Sequence, residues 1–271
     1  MSKLTALPSQ TDLEIFRHRI YEESFLRSRD TLFELVDALL LSPAVDSFAE
    51  LSLSPLFRRR WSSLYTALDR GRVEQETLGQ VFAQEIPQEG VQIFAIDKSA
   101  WHHPRARTLS DLFYERSPAP TIAKHAIVKA HPYSTLAWVP ERQGSWAMPL
   151  SSQRISLVKD AVTTAIEQAQ QLCRNCKILS QRGQIVIAGD GGYGNHRFLG
   201  GVKALPCAVV VRLRRDRVLY RPPSPTTDAR PRKHGPRFAF KEASTWGPPH
   251  EERQFEDPHW GWVRLRPSVP E

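Results

Sequence analysis

Two aspartates in this chain each follow a short run of apolar residues. Val91-Gln92-Ile93-Phe94-Ala95-Ile96 leads into Asp97, and Ile185-Val186-Ile187-Ala188-Gly189 leads into Asp190. Runs of this length and character suit buried central strands. If the two strands are neighbours in a sheet, both carboxylates emerge at the same carboxyl edge, where open α/β sheets place their sites. Two carboxylates held there repel each other, and apolar strands offer no compensation. A divalent cation resolves the conflict. Mg2+ (or Mn2+) suits the pair, because it takes one or two protein carboxylates and completes its shell with water and substrate phosphate. A pair of such ions supports in-line displacement at a phosphodiester. The plainer alternative is that each aspartate ends its strand as a turn residue or helix cap.

A polyanionic substrate agrees with how charge is spread. The 271 residues carry a net charge of +8. Residues 1–90 are net −4, 91–196 net +5, 197–241 net +10 and 242–271 net −3, so more than the whole excess falls in one 45-residue stretch. A polyanion, with nucleic acid favoured, is the natural partner of such a segment, and a solvated basic loop is the alternative. Arg212, Arg214, Arg215, Arg217, Arg232 and Lys233 are the expected phosphate contacts. Arg58, Arg59 and Arg60 form a second cluster, for which a solvated helix face is the commoner explanation.

The elements that must position these groups follow from the pattern of apolar residues. Residues 1–88 read as a helical domain, DNA-binding or accessory. Leu32, Leu35, Val36, Leu39 and Leu40 recur at helical spacing up to Ser42-Pro43, and Leu56, Phe57, Trp61, Leu64, Tyr65 and Leu68 follow with the same period. The segment 86-IPQEG-90 has turn chemistry. Beyond it, residues 89–213 read as an α/β core. Strands are expected at 91–96, 124–130, 134–140 with a turn at His131-Pro132-Tyr133, 144–150, 185–189 and 207–213. Helices are expected from about Ile155 to Cys176 and near 194–203. This is a mixed sheet with flanking helices. Residues 214–271 form a basic, Pro- and Arg-rich segment.

Composition excludes other classes. At 41% hydrophobic and 9% aromatic, the chain has enough apolar residues for a core. No stretch approaches 18 uninterrupted apolar residues, so no membrane span is expected. The first residues, MSKLTALPSQTDLE, lack the apolar region of a secretory signal. Three cysteines are too few for a disulfide framework and fit a reducing compartment, the cytoplasm. Cys173 and Cys176 form a lone CxxC; a zinc site would need His196 or Cys207 besides, and packing is the better account. Gly191-Gly192-Tyr193-Gly194 follows a strand but lacks the Lys-Ser/Thr of a P-loop, so these glycines are read as allowing close approach of a DNA backbone. His102 and His103 are read as loop caps or substrate contacts. Trp246, Trp260 and Trp262 are either buried or stack on unpaired bases.

Four segments, in order, resemble insertion-sequence transposases of the DDE class. The stretch 93-IFAIDKSAWHHP-104 is similar to their first-aspartate block, and 185-IVIAGDGGYGNHRFL-199 to their second. Between them, 131-HPYSTLAWVPERQGSWAMPL-150 resembles the family's hairpin region. The later 230-ARPRKHGPRFAFKEASTWGPP-249 resembles the basic block after its last core strand. The resemblance implies an RNase H-like fold, catalytic metal-binding roles for Asp97 and Asp190, Mg2+ or Mn2+ as cofactor, and double-stranded DNA, as transposon ends and target, as partner, in a nucleoid-associated protein for which a homo-oligomer is one option. The implied reaction frees a 3′-hydroxyl by hydrolysis and then joins it to target DNA. The family's third acid, a glutamate on a later helix, has no assigned counterpart. Glu242, Glu251, Glu252 and Glu256 lie among Pro, Gly and Trp. The chain therefore reads as truncated before that helix and inactive alone, a DNA-binding fragment; an RNase H-like nuclease unconnected with transposition is the further alternative.

Overall fold

A computed structural model gives the fold and describes residues 9–45, 47–103, 105–106, 108–116, 127–140, 146–223, 233–248, 253–257 and 261–265. The chain forms two compact units, one of Met1–Gly189 with Asn195–Val210, the other of Asp190–Gly194 with Val211–Glu271.

The first unit begins with helices whose starts and buried faces follow from their residues. Helix α1 (Gln10–Arg19) opens with a capping box, in which Ser9 Oγ accepts from the Asp12 N–H while the Asp12 carboxylate accepts from the Ser9 N–H. A π-helical turn (Ile20–Ser24) leads to strand β1 (Phe25–Arg27), helix α2 (Arg29–Leu41), the single turn α3 (Phe48–Leu51) and helix α4 (Trp61–Arg70). Strand β2 (Arg72–Val73) returns to pair with β1, and helix α5 (Gln75–Gln84) follows. The helical spacing in α2 and α4 is met in part, since Leu39, Leu40, Trp61, Tyr65 and Leu68 are exposed. Leu35 and Ala38 of α2 meet Leu64 of α4, with Leu51 and Phe57 closing the cluster.

The sheet of this unit has the order β4-β5-β3-β7-β8, with β6 also paired to β5. Its strands are β3 (Gly90–His102), β4 (Phe113–Arg116), β5 (Ile127–Val139), β6 (Met148–Arg154), β7 (Gly183–Gly189) and β8 (Ala208–Val211). Strand β3 runs parallel to β7 on one side and antiparallel to β5 on the other. The helices of this part are α6 (Ala161–Asn175), α7 (Lys177–Arg182) and α8 (His196–Val202). Helix α6 packs on β5, α5 on β6, α7 on β7 and α8 on α6. Phe94 and Ile96 of β3, Leu136 of β5, Ile185 and Ile187 of β7, and Ala165, Ala169 and Leu172 of α6 are all buried. Their alternation in the strands puts one sheet face on the core.

Three element readings are corrected. The strands expected at 124–130 and 134–140 are one strand, β5, which runs through His131-Pro132-Tyr133 without turning. Pro132 is tolerated because its missing N–H points into a seam: β4 pairs with β5 only as far as Ala130, and β6 pairs only from Tyr133. The Pro132 carbonyl on that side accepts from the Ile155 N–H at 2.9 Å. Strand β3 does not end on Asp97 but continues to His102 as the partner of β5. Helix α6 begins at Ala161 rather than Ile155, because β6 extends to Arg154 and Asp160 caps the helix by accepting from the Thr163 N–H at 2.9 Å.

The second unit holds strand β9 (Val218–Tyr220) antiparallel to β10 (Arg237–Ala239), a 3-10 turn (Ala243–Thr245), and the hairpin of β11 (Arg253–Asp257) with β12 (Gly261–Leu265). Tyr193, Phe238 and Ala239 are its buried hydrophobic residues among those described. The Phe238 ring lies edge-on to Phe240 and stacked on Trp246, whose indole N–H donates to the Ala239 carbonyl at 2.9 Å.

Candidate active site

Asp97 sits on β3 where that strand changes partners. The parallel ladder between β3 and β7 ends at the pair Ile96↔Gly189. Asp97 and Asp190 are the next residues after that pair in their respective segments. Within the first unit Asp97 lies opposite Thr135 of β5 and is exposed. Strand alternation points Lys98 to the other face, where its ammonium pairs with Glu115 of β4 at 2.7 Å. The cation adjacent to Asp97 in sequence is therefore committed elsewhere. Thr135 Oγ1 and Ser152 Oγ of β6 lie 3.2 Å apart, a polar row alongside Asp97.

Asp190 opens the second unit and is also exposed. One of its carboxylate oxygens accepts from the Gly192 N–H at 2.8 Å. That leaves the other oxygen and further lone pairs available. Gly194 is required two residues on: a Cβ there would stand 2.6 Å from the Arg212 carbonyl, so a side chain would force the 190–194 loop away from the Arg212 backbone. The loop thereby borders a groove of about 790 Å³, lined by Asp190, Arg212, Arg214, Arg215, Lys241 and Trp246 among others. No ion pair holds Asp97 or Asp190 to a lysine or arginine among the described residues.

The expected phosphate contacts divide in three. Arg212, Arg214 and Arg215 line this groove, exposed. Arg217 and Lys233 are exposed on the same unit but do not line it, and Arg232 lies outside the described residues. Lys241 and Phe240 were not singled out in sequence, though Lys241 belongs to the +10 segment and so carried a signal. Of the late glutamates, Glu242 is held by both terminal nitrogens of Arg237 at 3.0 Å, Glu256 lies on β11, and Glu251 and Glu252 lie outside the described residues. Trp246 borders the groove with its ring partly exposed, whereas Trp260 lies outside the described residues.

Other candidates have structural partners. Arg58 and Arg59 both pair with Glu34, a carboxylate buried under them, and Arg59 also reaches Asp30 at 3.3 Å. The His103 ring is tilted against Trp101 and edge-on to His131, and His131 Nε2 faces the Ser110 carbonyl at 3.0 Å, so it carries a proton there. The Nε2 atoms of His102 and His103 are enclosed, with no hydrogen-bond partner among the described residues. Burial, then the nearby His131 and Arg154, holds the His103 pKa below its ordinary value. Among the described residues, no three His, Cys, Asp or Glu side chains converge to hold a metal ion. No helix of the described residues is long and apolar enough to cross a membrane.

A family model described as DDE superfamily endonuclease matches residues 21–268. No curated protein matches the chain.

Proposed function

The chain belongs to the DDE superfamily of endonucleases, and from that premise we propose that it cleaves and rejoins DNA phosphodiesters in the transposition of an insertion sequence. The mixed sheet with its flanking helices is the RNase H-like architecture of such enzymes. In this reading the strands around 89–213 form the catalytic core, residues 1–88 an accessory DNA-binding domain, and residues 214–271 a basic extension.

The observation that carries the proposal is the register of β3 and β7, whose last parallel pair directly precedes Asp97 and Asp190. Both carboxylates are exposed and free of basic partners among the described residues, which fits a divalent cation. Asp97 and Asp190 would hold it. When bound, Mg2+ or Mn2+ neutralises phosphate charge and lowers the pKa of coordinated water.

The remaining work is electrostatic and positional. Arg212, Arg214, Arg215 and Lys241 line the groove that includes Asp190, and their fixed positive charge attracts the phosphate backbone. The same charges offset the negative charge that develops on a phosphate under attack. The Gly192 N–H orients the Asp190 carboxylate. Ordering these groups before substrate arrives is what the protein contributes to a displacement with little covalent chemistry of its own.

The test is incubation of the purified chain with Mg2+ or Mn2+ and duplexes bearing the ends of the DNA element that encodes it. Nicking at those ends, lost in Asp97→Asn and in Asp190→Asn, is the expected result. Binding without nicking would mark a DNA-binding fragment, and nicking of any duplex without preference for the ends would mark a general nuclease.

A further inference from the structure

Strand β5 presents two unlike faces. Val128, Ala130, Ser134 and Leu136 are buried on the face where α6 packs, and Ser134 Oγ donates to the Gln168 side chain of that helix at 2.7 Å. The alternate residues Lys129, Tyr133 and Thr135 point to the opposite face and are partly exposed. Register carries that face across the sheet. Asp97 and Trp101 of β3 lie opposite Thr135 and His131, Tyr114 and Arg116 of β4 opposite Lys129 and Ile127, and Arg154 of β6 opposite Tyr133. Asp97 therefore shares one sheet face with the rings of Trp101, Tyr114 and Tyr133 and the cations of Lys129, Arg116 and Arg154.

The chemistry of that face is specific. Trp101 is 63% exposed and Tyr114 75%, although large aromatic rings are ordinarily covered. His103 leans against the Trp101 ring with centroids 4.9 Å apart, which fixes the ring's orientation and leaves most of it to solvent. Among the described residues Lys129 and Arg116 form no ion pair, and Arg154 reaches Asp111 only at 3.7 Å. Glu115, between Tyr114 and Arg116, points to the other face and pairs with Lys98. Cations thus alternate with rings. A protein-docking patch is depleted of charge at its centre. Single-stranded nucleic acid is held by this combination of aromatic platforms and cations.

We propose that this face binds single-stranded DNA, its bases stacked on Trp101 and Tyr114 and its phosphates held by Lys129, Arg116 and Arg154. In a duplex each base is already covered by its neighbours, so only unpaired bases can use the rings. Trp101 stands four residues from Asp97 on the same face, about 13 Å along the strand. The platform therefore receives the unpaired nucleotides that flank a phosphodiester at Asp97. That placement rests on the reading of Asp97 as a cleavage carboxylate; the binding itself does not.

The experiment measures fluorescence anisotropy of the full chain, in chelator, with labelled oligodeoxynucleotides of about 12 nucleotides. The probes are a thymidine single strand, an abasic strand with the same phosphates, and a duplex. The native chain should bind the thymidine strand about tenfold more tightly than the abasic one. Trp101→Ala and Tyr114→Ala should each weaken binding of the thymidine strand by about tenfold, and Trp101→Phe should restore most of the loss. Lys129→Ala with Arg116→Ala should lower the salt slope for both single strands by about 1.4. Equal affinity of the native chain for the thymidine and abasic strands overturns the proposal, and that comparison needs no variant to fold. So does a loss on the duplex that matches the loss on the single strand in Trp101→Ala. A dimer that Trp101→Ala dissociates in sedimentation, with single-strand affinity unchanged, also overturns it and makes the face a contact between copies. Mg2+-dependent nicking that depends on Asp97, without any preference for unpaired bases, removes the platform and leaves the cleavage reading standing. Base-dependent binding without nicking does the reverse.

Discussion

At the scale of single residues, Asp97 and Asp190 follow the last parallel pair of β3 and β7 and have no lysine or arginine committed to them among the described residues. Glu34, Asp37, Glu115, Asp160, Glu167 and Glu242 are each held by an arginine or lysine. Asp97 has its nearest lysine in sequence turned to the opposite face, and Asp190 accepts from a backbone N–H. Asp97→Asn should therefore lower Mg2+-dependent nicking by ~10²-fold or more while leaving the protein's melting temperature nearly unchanged. Duplex affinity measured in chelator should stay level or rise, since the substitution removes a negative charge that repels phosphate. An affinity that falls in parallel with nicking would make Asp97 a fold residue instead. His103 carries a second prediction. Its folded pKa is depressed by burial and by His131 and Arg154, so below about 6.5, the ordinary histidine value, the unfolded chain binds a proton more readily than the folded one. The neutral ring's contribution is fully present above that value and is lost as pH falls through it. Melting temperature should drop between pH 7.5 and 5.5, and His103→Phe should flatten that drop. An unchanged slope in the variant would show that His103 is not the source of the pH dependence.

At the scale of elements, the apolar runs around 91–96 and 185–189 were legible in sequence as strands, but only one face is buried: Phe94, Ile96, Ile185 and Ile187 lie in the core, whereas Val91 and Ile93 are exposed. The ends of elements were not legible, for reasons particular to each. Nothing local says that Asp97-Lys98-Ser99-Ala100 stays extended; that follows from pairing with Thr135-Ser134-Tyr133-Pro132 across the sheet. Pro132 signals a turn in any local reading, and only the seam between β4 and β6 removes the penalty. Ile155 and Val158 fit the helical period of α6, yet Val158 is almost wholly exposed and Asp160 starts the helix after them. The groove lined by Arg212, Arg214, Arg215 and Lys241 depends on Gly194, whose role follows from proximity to the Arg212 carbonyl and not from any motif. Asp160 gives this scale its prediction. Arg197 and the Thr163 N–H hold its carboxyl down to about 2, below the ordinary aspartate range. The stability it lends is present above about pH 4 and is lost as pH falls toward 2. Asp160→Ala removes both the cap of α6 and the tie to α8, at a cost of ~1–2 kcal/mol at neutral pH. Chemical denaturation at pH 7 and at pH 3 should show that cost shrinking in acid; an equal cost at both would mean that the carboxylate's charge does not matter.

At the scale of the whole molecule, charge is segregated along the sequence so strongly that the segment 197–241 exceeds the net charge of the entire chain. Its arginines are not used internally to the same degree as those of the N-terminal helices. Arg17, Arg29, Arg58 and Arg59 are each paired with a carboxylate, whereas Arg212, Arg214 and Arg215 face the open groove. A cation already held by a carboxylate gains little from phosphate. One left in solvent gains the full counterion-release term, roughly one unit in the slope of log K against log salt for each phosphate engaged. The two arginine clusters, similar in composition, are therefore expected to differ in their effect on DNA. Replacing Arg212, Arg214 and Arg215 together by Ala should flatten the salt dependence of duplex binding by about three units and weaken binding to unrelated sequences alike. Replacing Arg58 and Arg59 should leave the slope unchanged and instead lower the melting temperature, because Glu34 would stay buried without its partners. Fluorescence anisotropy over a salt series on both variants, with thermal melts alongside, separates the two effects. If the slope flattened only in the Arg58, Arg59 variant, the phosphate backbone would lie along the N-terminal helices, and the groove beside Asp190 would lose its assigned substrate.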